Sequence, residues 1–390
     1  MDPRPGAGMT DARDLEFRAD AAAGAGDMHG ARLLLEQAVA HEGSTAQTWS
    51  KLSAMRKAAG DVAGSLDAVD RALALAPLDF TNLLSRAFLL EALDDPQSAL
   101  AFGHALAQLP DGQDLPPPMQ QPVAHARKRW GKLQAETERH LEAAIPESIA
   151  GAERERALRF VSNRSRRTSH YHQEPSDFHY SGLPEREVHD RSDFPELAAF
   201  EAATNAIRAE FEALVAANEA QMVPYIQYPE RVPLRQWKEL NRNRDWTAIH
   251  LIQNGQRIDA NALHCPITMA AIERLPQPKI RGASPNAMFS LLAPKTRIPP
   301  HSGVANVRLV CHLPLIVPPD CGFRVGATER EWKVGEAFVF DDTIEHMAWN
   351  DSDQLRVVLI VDLWAPSLSL SERSAITAVI EASDVGFGSG

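Results

Sequence analysis

The chain has 390 residues, enough for two or three domains at about 150 residues each. Its 44% hydrophobic and 24% charged residues exclude a collagen-like, low-complexity or disordered chain. The 52 acidic residues outnumber the 40 basic ones, and the resulting net charge of -12 argues against general affinity for nucleic acid or an anionic membrane surface.

The N-terminal MDPRPGAGMTDARD has no apolar stretch of signal-peptide length, and no run of about 18 apolar residues occurs, so a cytoplasmic protein with no membrane partner is expected. Cys265, Cys311 and Cys321 are too few and too unevenly spread for a disulfide framework, which fits a reducing compartment. Residues 1–10 read as a flexible tail.

An internal period follows. The turns GDMHGA, GDVAGS and DDPQSA place Asp27, Asp61 and Asp95 each 34 residues apart. Ala31, Ser65 and Ala99 supply a small residue where paired helices approach, while Leu35, Val69, Ala38, Ala72 and Leu106 supply apolar positions facing the partner helix. With Trp49, Leu52 and Pro77, the spacing resembles the tetratricopeptide repeat, so residues 11–112 are expected to form two and a half to three repeats with a concave surface for a peptide, another protein or a second copy of the chain.

The proline-rich DGQDLPPPMQQP marks a boundary, and residues 113–150 read as a linker with a polar helix from Ala124 to Ala144. The basic run from Arg154 to Gln173 reads as a solvated face. Phe194 to Ala217 has helical apolar spacing and predicts one long amphipathic helix. From Trp246 the period changes to short alternating or β-branched runs, including NAMFSLL, NVRLVCHLPLIV, EAFVFD and LRVVLIVDLW. The expected architecture is therefore α+β: helical repeats followed, over residues 151–390, by an antiparallel jelly roll, or double-stranded β-helix.

Two histidines stand in contexts that packing explains poorly. His301 follows a double proline in RIPPHSGVAN, and His346 follows an acidic turn in VFDDTIEHMAW. Imidazoles at rigid strand edges can meet on one metal. The pattern resembles the facial triad of Fe(II)/2-oxoglutarate oxygenases, except that Gly303 replaces the carboxylate. Glycine there, together with HSGVANVRLVCHLPLIVPPDCGFRVG, EWKVGEAFVFDDTIEHMAWN and LRVVLIVDLWAP, resembles the aspartyl/asparaginyl β-hydroxylase family, with looser similarity back to about Ser181.

That resemblance implies a dioxygenase using Fe(II), 2-oxoglutarate and O2 to hydroxylate the β-carbon of Asp or Asn in a peptide or protein. It implies His301 and His346 as iron ligands and Asp342 as the acceptor for a metal-bound water. Arg356 and Ser290 would hold the distal carboxylate of 2-oxoglutarate, His312 the carboxylate beside the keto group, and Trp246 would lie near the substrate. Val310 stands where the animal pattern has arginine; Arg308, two residues away on the same strand face, either compensates or forms a structural ion pair. Arg231, Arg235, Lys238, Arg242 and Arg244 are candidate cations for an acidic substrate. Alternatives are a weakly active or inactive oxygenase-fold binding module, motivated by Gly303 and Val310, or a hydroxylase of a free or carrier-bound amino acid or lipid acyl chain. A homo-oligomer is left open.

Overall fold

In the computed structural model, which describes residues 12–386 apart from 42, 111–113, 230 and 232, the repeated acidic turns lead into the second helix of each of three pairs. The tail at residues 1–10 lies outside the described residues. The pairs are α1 (Ala12–Gly24) with α2 (Met28–Ala38), α3 (Ala46–Ala58) with α4 (Val62–Leu75), and α5 (Phe80–Ala92) with α6 (Ser98–Leu106).

Asp27 and Asp61 cap α2 and α4, each accepting a hydrogen bond of 2.8 Å from the backbone N–H three residues on. Such caps are worth about 1 kcal/mol. Gly26 and Gly60 before them take φ of 85° and 81°. In the third turn Asp94 takes that left-handed place at φ 54°, Pro96 delays the helix to Ser98, and no side chain caps it. The small buried residue there is consequently Ser98, with the expected Ala99 only half-buried. Between α3 and α4, Ser53 and Ser65 clasp each other, each hydroxyl within 2.9 Å of the other residue's backbone oxygen.

A long helix α7 (Pro117–Glu142) packs on α6, beginning earlier than expected because Pro117 suits a first helical turn. Gly151, where the sequence reading starts the second domain, opens α8 (Gly151–Arg164), which packs on α7. The chain divides into two units, residues 1–168 and 169–390. No described helix is long and apolar enough to cross a membrane.

The second unit is built on two antiparallel sheets. Helices α9 (Leu197–Ala202) and α10 (Thr204–Ala216) replace the single helix expected from Phe194. The break falls at Ala203, where the Thr204 hydroxyl donates to Glu201 O at 2.6 Å and competes with helical bonding. The strands are β1 (Met222–Pro224), β2 (Trp246–Gln253), β3 (Gln256–Arg257), β4 (Ala287–Leu292), β5 (Thr296–His301), β6 (Arg308–Ile316), β7 (Cys321–Val325), β8 (Thr328–Arg330), β9 (Phe338–Phe340), β10 (His346–Asn350) and β11 (Arg356–Trp364). Between β3 and β4 lie α11 (Asp259–Ala262) and α12 (Pro266–Ile272), and α13 (Leu370–Gly386) follows β11.

The larger sheet runs β1-β2-β4-β11-β6-β9 with β3 beside β2; the smaller runs β5-β10-β7-β8. Alternation along β11 sends Val357, Leu359, Val361 and Leu363 to the helix-covered core, and Val358 and Ile360 to the space between the sheets. Burial on both faces explains the unbroken apolar run. The polar side chains on the inner face are the ones that carry chemistry.

Where the chain enters this unit, Val188 bridges Phe340 and the His189 N–H donates to Val339 O at 2.9 Å. Among the described residues neither His189 ring nitrogen has a partner, and burial pulls its pKa down to about 4. A histidine depressed in the folded state costs no stability above its unfolded pKa near 6.5, and the cost grows as pH falls toward 4. Urea unfolding between pH 7 and pH 4 should show the parent losing up to about 3 kcal/mol more than His189→Gln. Parallel profiles for the two proteins would contradict this assignment.

Candidate active site

Strands β5 and β10 are antiparallel, and their register sets His346 directly opposite His301. The rings approach to 4.0 Å between centroids. His301 Nδ1 donates to Pro299 O at 2.8 Å, and His346 Nδ1 to Ile344 O at 3.1 Å. Because a carbonyl only accepts, both protons are fixed on Nδ1 and each Nε2 keeps its lone pair. Burial lowers the pKa of both rings, and for His346 the neighbouring His301 adds to the effect. Both are therefore neutral at pH 7, the form that binds a metal.

Gly303 is glycine for a spatial reason. A Cβ there would come within 2.1 Å of Asp342 Oδ2. The Gly303 N–H also donates to Asp342 O at 2.6 Å, so the Asp342 carboxylate fills the space that a side chain at 303 would need. Asp342 Oδ1 is buried with no partner among the described residues, available to a water or other donor. Burial, opposed by Arg308, raises its pKa to about 6. Gly303→Ala must displace Asp342, and metal affinity measured by calorimetry should fall by about 10- to 100-fold, as for loss of other groups that orient metal ligands. Unchanged affinity would show that Asp342 has no part in ordering the site.

Arg308 lies between two acids. Its Nη1 is 3.3 Å from Asp342 and 3.2 Å from Asp362. Asp362 also accepts from Ser284 Oγ at 2.9 Å and from the Asn286 N–H at 2.8 Å. The structural ion pair, rather than a spare donor replacing arginine at Val310, is thus the arrangement found. An aspartate within VVLIVDLW was the available signal, because a carboxylate inside a buried strand requires a cation.

At the other end of β11, Arg356 is buried with its guanidinium 5.2 Å from the Trp332 ring and its Nε without a partner among the described residues. Burial pulls its pKa down to about 10, which leaves it cationic at pH 7. Ser290, on neighbouring β4, accepts from Trp246 Nε1 at 3.1 Å. His312 is held between Trp332 and Phe340, at 5.4 Å and 4.9 Å, and its Nδ1 is buried without a partner. Burial and then Arg356 hold its pKa well below the usual range.

All eight residues singled out from sequence line one cavity of about 330 Å³. Tyr225, Trp237, Val304 and Asp362 also line it and were not anticipated. Tyr225 stacks on Trp246 at 3.8 Å, and Trp237 meets His301 edge-on at 4.9 Å. None of Arg231, Arg235, Lys238, Arg242 and Arg244 lines the cavity. Away from it, His170, His172 and Glu185 bring three possible ligand atoms within 4.8 Å of one another on the exposed surface, the two histidines lying in the run read as a solvated face.

Two sheets enclosing a pair of neutral, opposed histidines and an unpaired buried arginine define a jelly-roll protein with a metal-ready centre. Residues 201–366 match the family model described as aspartyl/asparaginyl beta-hydroxylase. Human aspartyl/asparaginyl beta-hydroxylase is 32% identical over 145 residues, 36% of this chain and 19% of that protein. The ornithine lipid ester-linked acyl 2-hydroxylase of Rhizobium tropici is 33% identical over 190 residues, 48% of this chain and 63% of that protein. Human aspartate beta-hydroxylase domain-containing protein 2 is 34% identical over 135 residues, 34% of this chain and 37% of that protein. The chain thus spans less than two thirds of each of these relatives.

Proposed function

We propose that the C-terminal unit is an Fe(II)- and 2-oxoglutarate-dependent dioxygenase that hydroxylates the β-carbon of an Asp or Asn residue in a peptide or protein. The observation that carries this reading is the opposed His301–His346 pair sharing a cavity with an unpaired buried arginine, Arg356. The buried atoms left without partners fit the missing groups: Asp342 Oδ1 needs a donor, His312 Nδ1 needs a partner, and Arg356 Nε needs an acceptor. A buried guanidinium without an anion is costly, and a dicarboxylate cosubstrate removes that cost with a bidentate contact.

His301 and His346 would hold the metal through Nε2, with Asp342 accepting from a water beside it. Arg356 and Ser290 would take the distal carboxylate and His312 the near one. Ferrous iron with 2-oxoglutarate and O2 supplies the oxidising power to place a hydroxyl on an unactivated carbon, with succinate and CO2 as co-products. Trp246, Tyr225 and Trp237 wall the cavity and limit water around the reacting carbon. The helical repeats would contribute a surface for a polypeptide substrate.

A second reading, hydroxylation of a lipid acyl chain, is favoured by the Rhizobium relative, which matches over the longest stretch of the three. Incubating cell-extract peptides and, separately, extracted lipids with enzyme, iron and 2-oxoglutarate distinguishes the two. The proposal expects peptides that gain one oxygen only when 2-oxoglutarate is present. Modified lipids with untouched peptides would replace it with the second reading.

A further inference from the structure

We propose that the side chain accepted for hydroxylation is an uncharged carboxamide, so that the enzyme acts on asparagine and discriminates against aspartate; this rests on the reading above. The basis is a count of charge on the cavity wall. Among the described residues, Arg308 and Arg356 are the only arginines or lysines lining it. Arg308 is already matched by Asp342 and Asp362, at 3.3 Å and 3.2 Å. Arg356 is the cation committed to the cosubstrate.

The lining imidazoles offer no cation to a substrate: His301 and His346 donate from Nδ1 to the Pro299 and Ile344 carbonyls and keep Nε2 for the metal, and burial lowers the pKa of His250 and His312. Burial pushes the Tyr225 phenol up to about 12, so it remains a neutral hydrogen-bond donor. A ferrous ion and a 2-oxoglutarate dianion also balance each other. A substrate carboxylate entering this space would therefore be an extra anion without a counter-charge, close to Asp342 and Asp362. A carboxamide carries no such charge, and its oxygen and NH2 can use the Tyr225 hydroxyl and the acidic side chains respectively.

Apolar side chains occupy the wall elsewhere, with Val310, Met288 and Ile360 contributed by three adjacent strands. The surface cations from Arg231 to Arg244 lie outside the cavity and are left to contact residues flanking the reactive one.

The test uses the full-length chain and two peptide libraries, identical except for Asn or Asp at a fixed central position. Binding to the metal-free protein is followed by tryptophan fluorescence, and hydroxylation and succinate by mass spectrometry. Asn peptides should exceed Asp peptides in kcat/KM by at least about 100-fold, the scale for an unpaired buried charge. Their binding should differ in the same direction without metal when 2-oxoglutarate is present to occupy Arg356. Asp362→Asn releases part of the Arg308 charge and should reduce the preference by about 10-fold. Met288→Lys, which adds a cation to the wall, is the second variant should the first not fold, and it should shift the preference the same way.

Equal or better use of Asp peptides while succinate forms would overturn the inference and leave the proposed activity standing. Succinate formation stimulated by an ester-linked acyl substrate, with neither peptide library bound, would overturn the inference as well. Absence of any 2-oxoglutarate turnover would instead remove the activity on which it rests.

Discussion

Replacing His301 or His346 with alanine is expected to abolish 2-oxoglutarate turnover, lowering succinate formation by at least about 1,000-fold, with loss of bound iron. The effect should be large because two imidazoles are the whole protein ligand set proposed, and Gly303 leaves no carboxylate to substitute. Both rings are anchored through Nδ1 to a carbonyl two residues earlier in the chain rather than bridging distant elements, so each variant should fold and melt cooperatively. Succinate yield, iron content and thermal unfolding measured together check the prediction. A folded alanine variant that retains iron and turnover would exclude the pair as the metal site.

Arg356 should separate binding from stability. Arg356→Met is expected to raise the 2-oxoglutarate concentration for half-maximal rate by at least about 100-fold, because among the described residues it removes the cavity-lining cation free to meet the distal carboxylate. The same substitution removes an uncompensated buried charge, so without cosubstrate the variant should melt no lower than the parent. Added 2-oxoglutarate should raise the parent's melting temperature and leave the variant's unchanged. Arg356→Lys keeps charge but lacks the planar fork, and should fall between the two. A variant with parental cosubstrate dependence would mean that the distal carboxylate lies elsewhere.

The parts of this molecule that were legible in its sequence were those written by periodicity or by a rigid local context. The 34-residue spacing of Asp27 and Asp61 corresponds to two helix caps of the same geometry, whereas Pro96 alters the third turn and moves its small buried residue from Ala99 to Ser98. The long apolar strands β6 and β11 were visible because both faces are buried. Strands β5 and β10, which carry the two histidines, were not among the runs read as strands: TRIPPH is broken by prolines, and HMAWN is short and mixed.

Alternation placed Arg308, Val310 and His312 on one face, but could not say whether a carboxylate would meet Arg308. That depended on Asp362 of β11 and on Asp342 beyond β9, brought together only by the sheet order. The aromatic wall was hidden for a similar reason. Tyr225 and Trp237 come from the segment before β2, and their packing on Trp246 and His301 is a property of the tertiary fold.

The most direct measurement is an anaerobic titration of the protein with ferrous iron and then 2-oxoglutarate, followed by visible absorption. A two-histidine site with open coordination positions predicts a weak charge-transfer band in the parent that is absent when His301 and His346 are both alanine, and that needs far more 2-oxoglutarate when Arg356 is methionine. A band that survives in the double alanine variant, or parent protein that binds iron and shows no band at saturating 2-oxoglutarate, would contradict it.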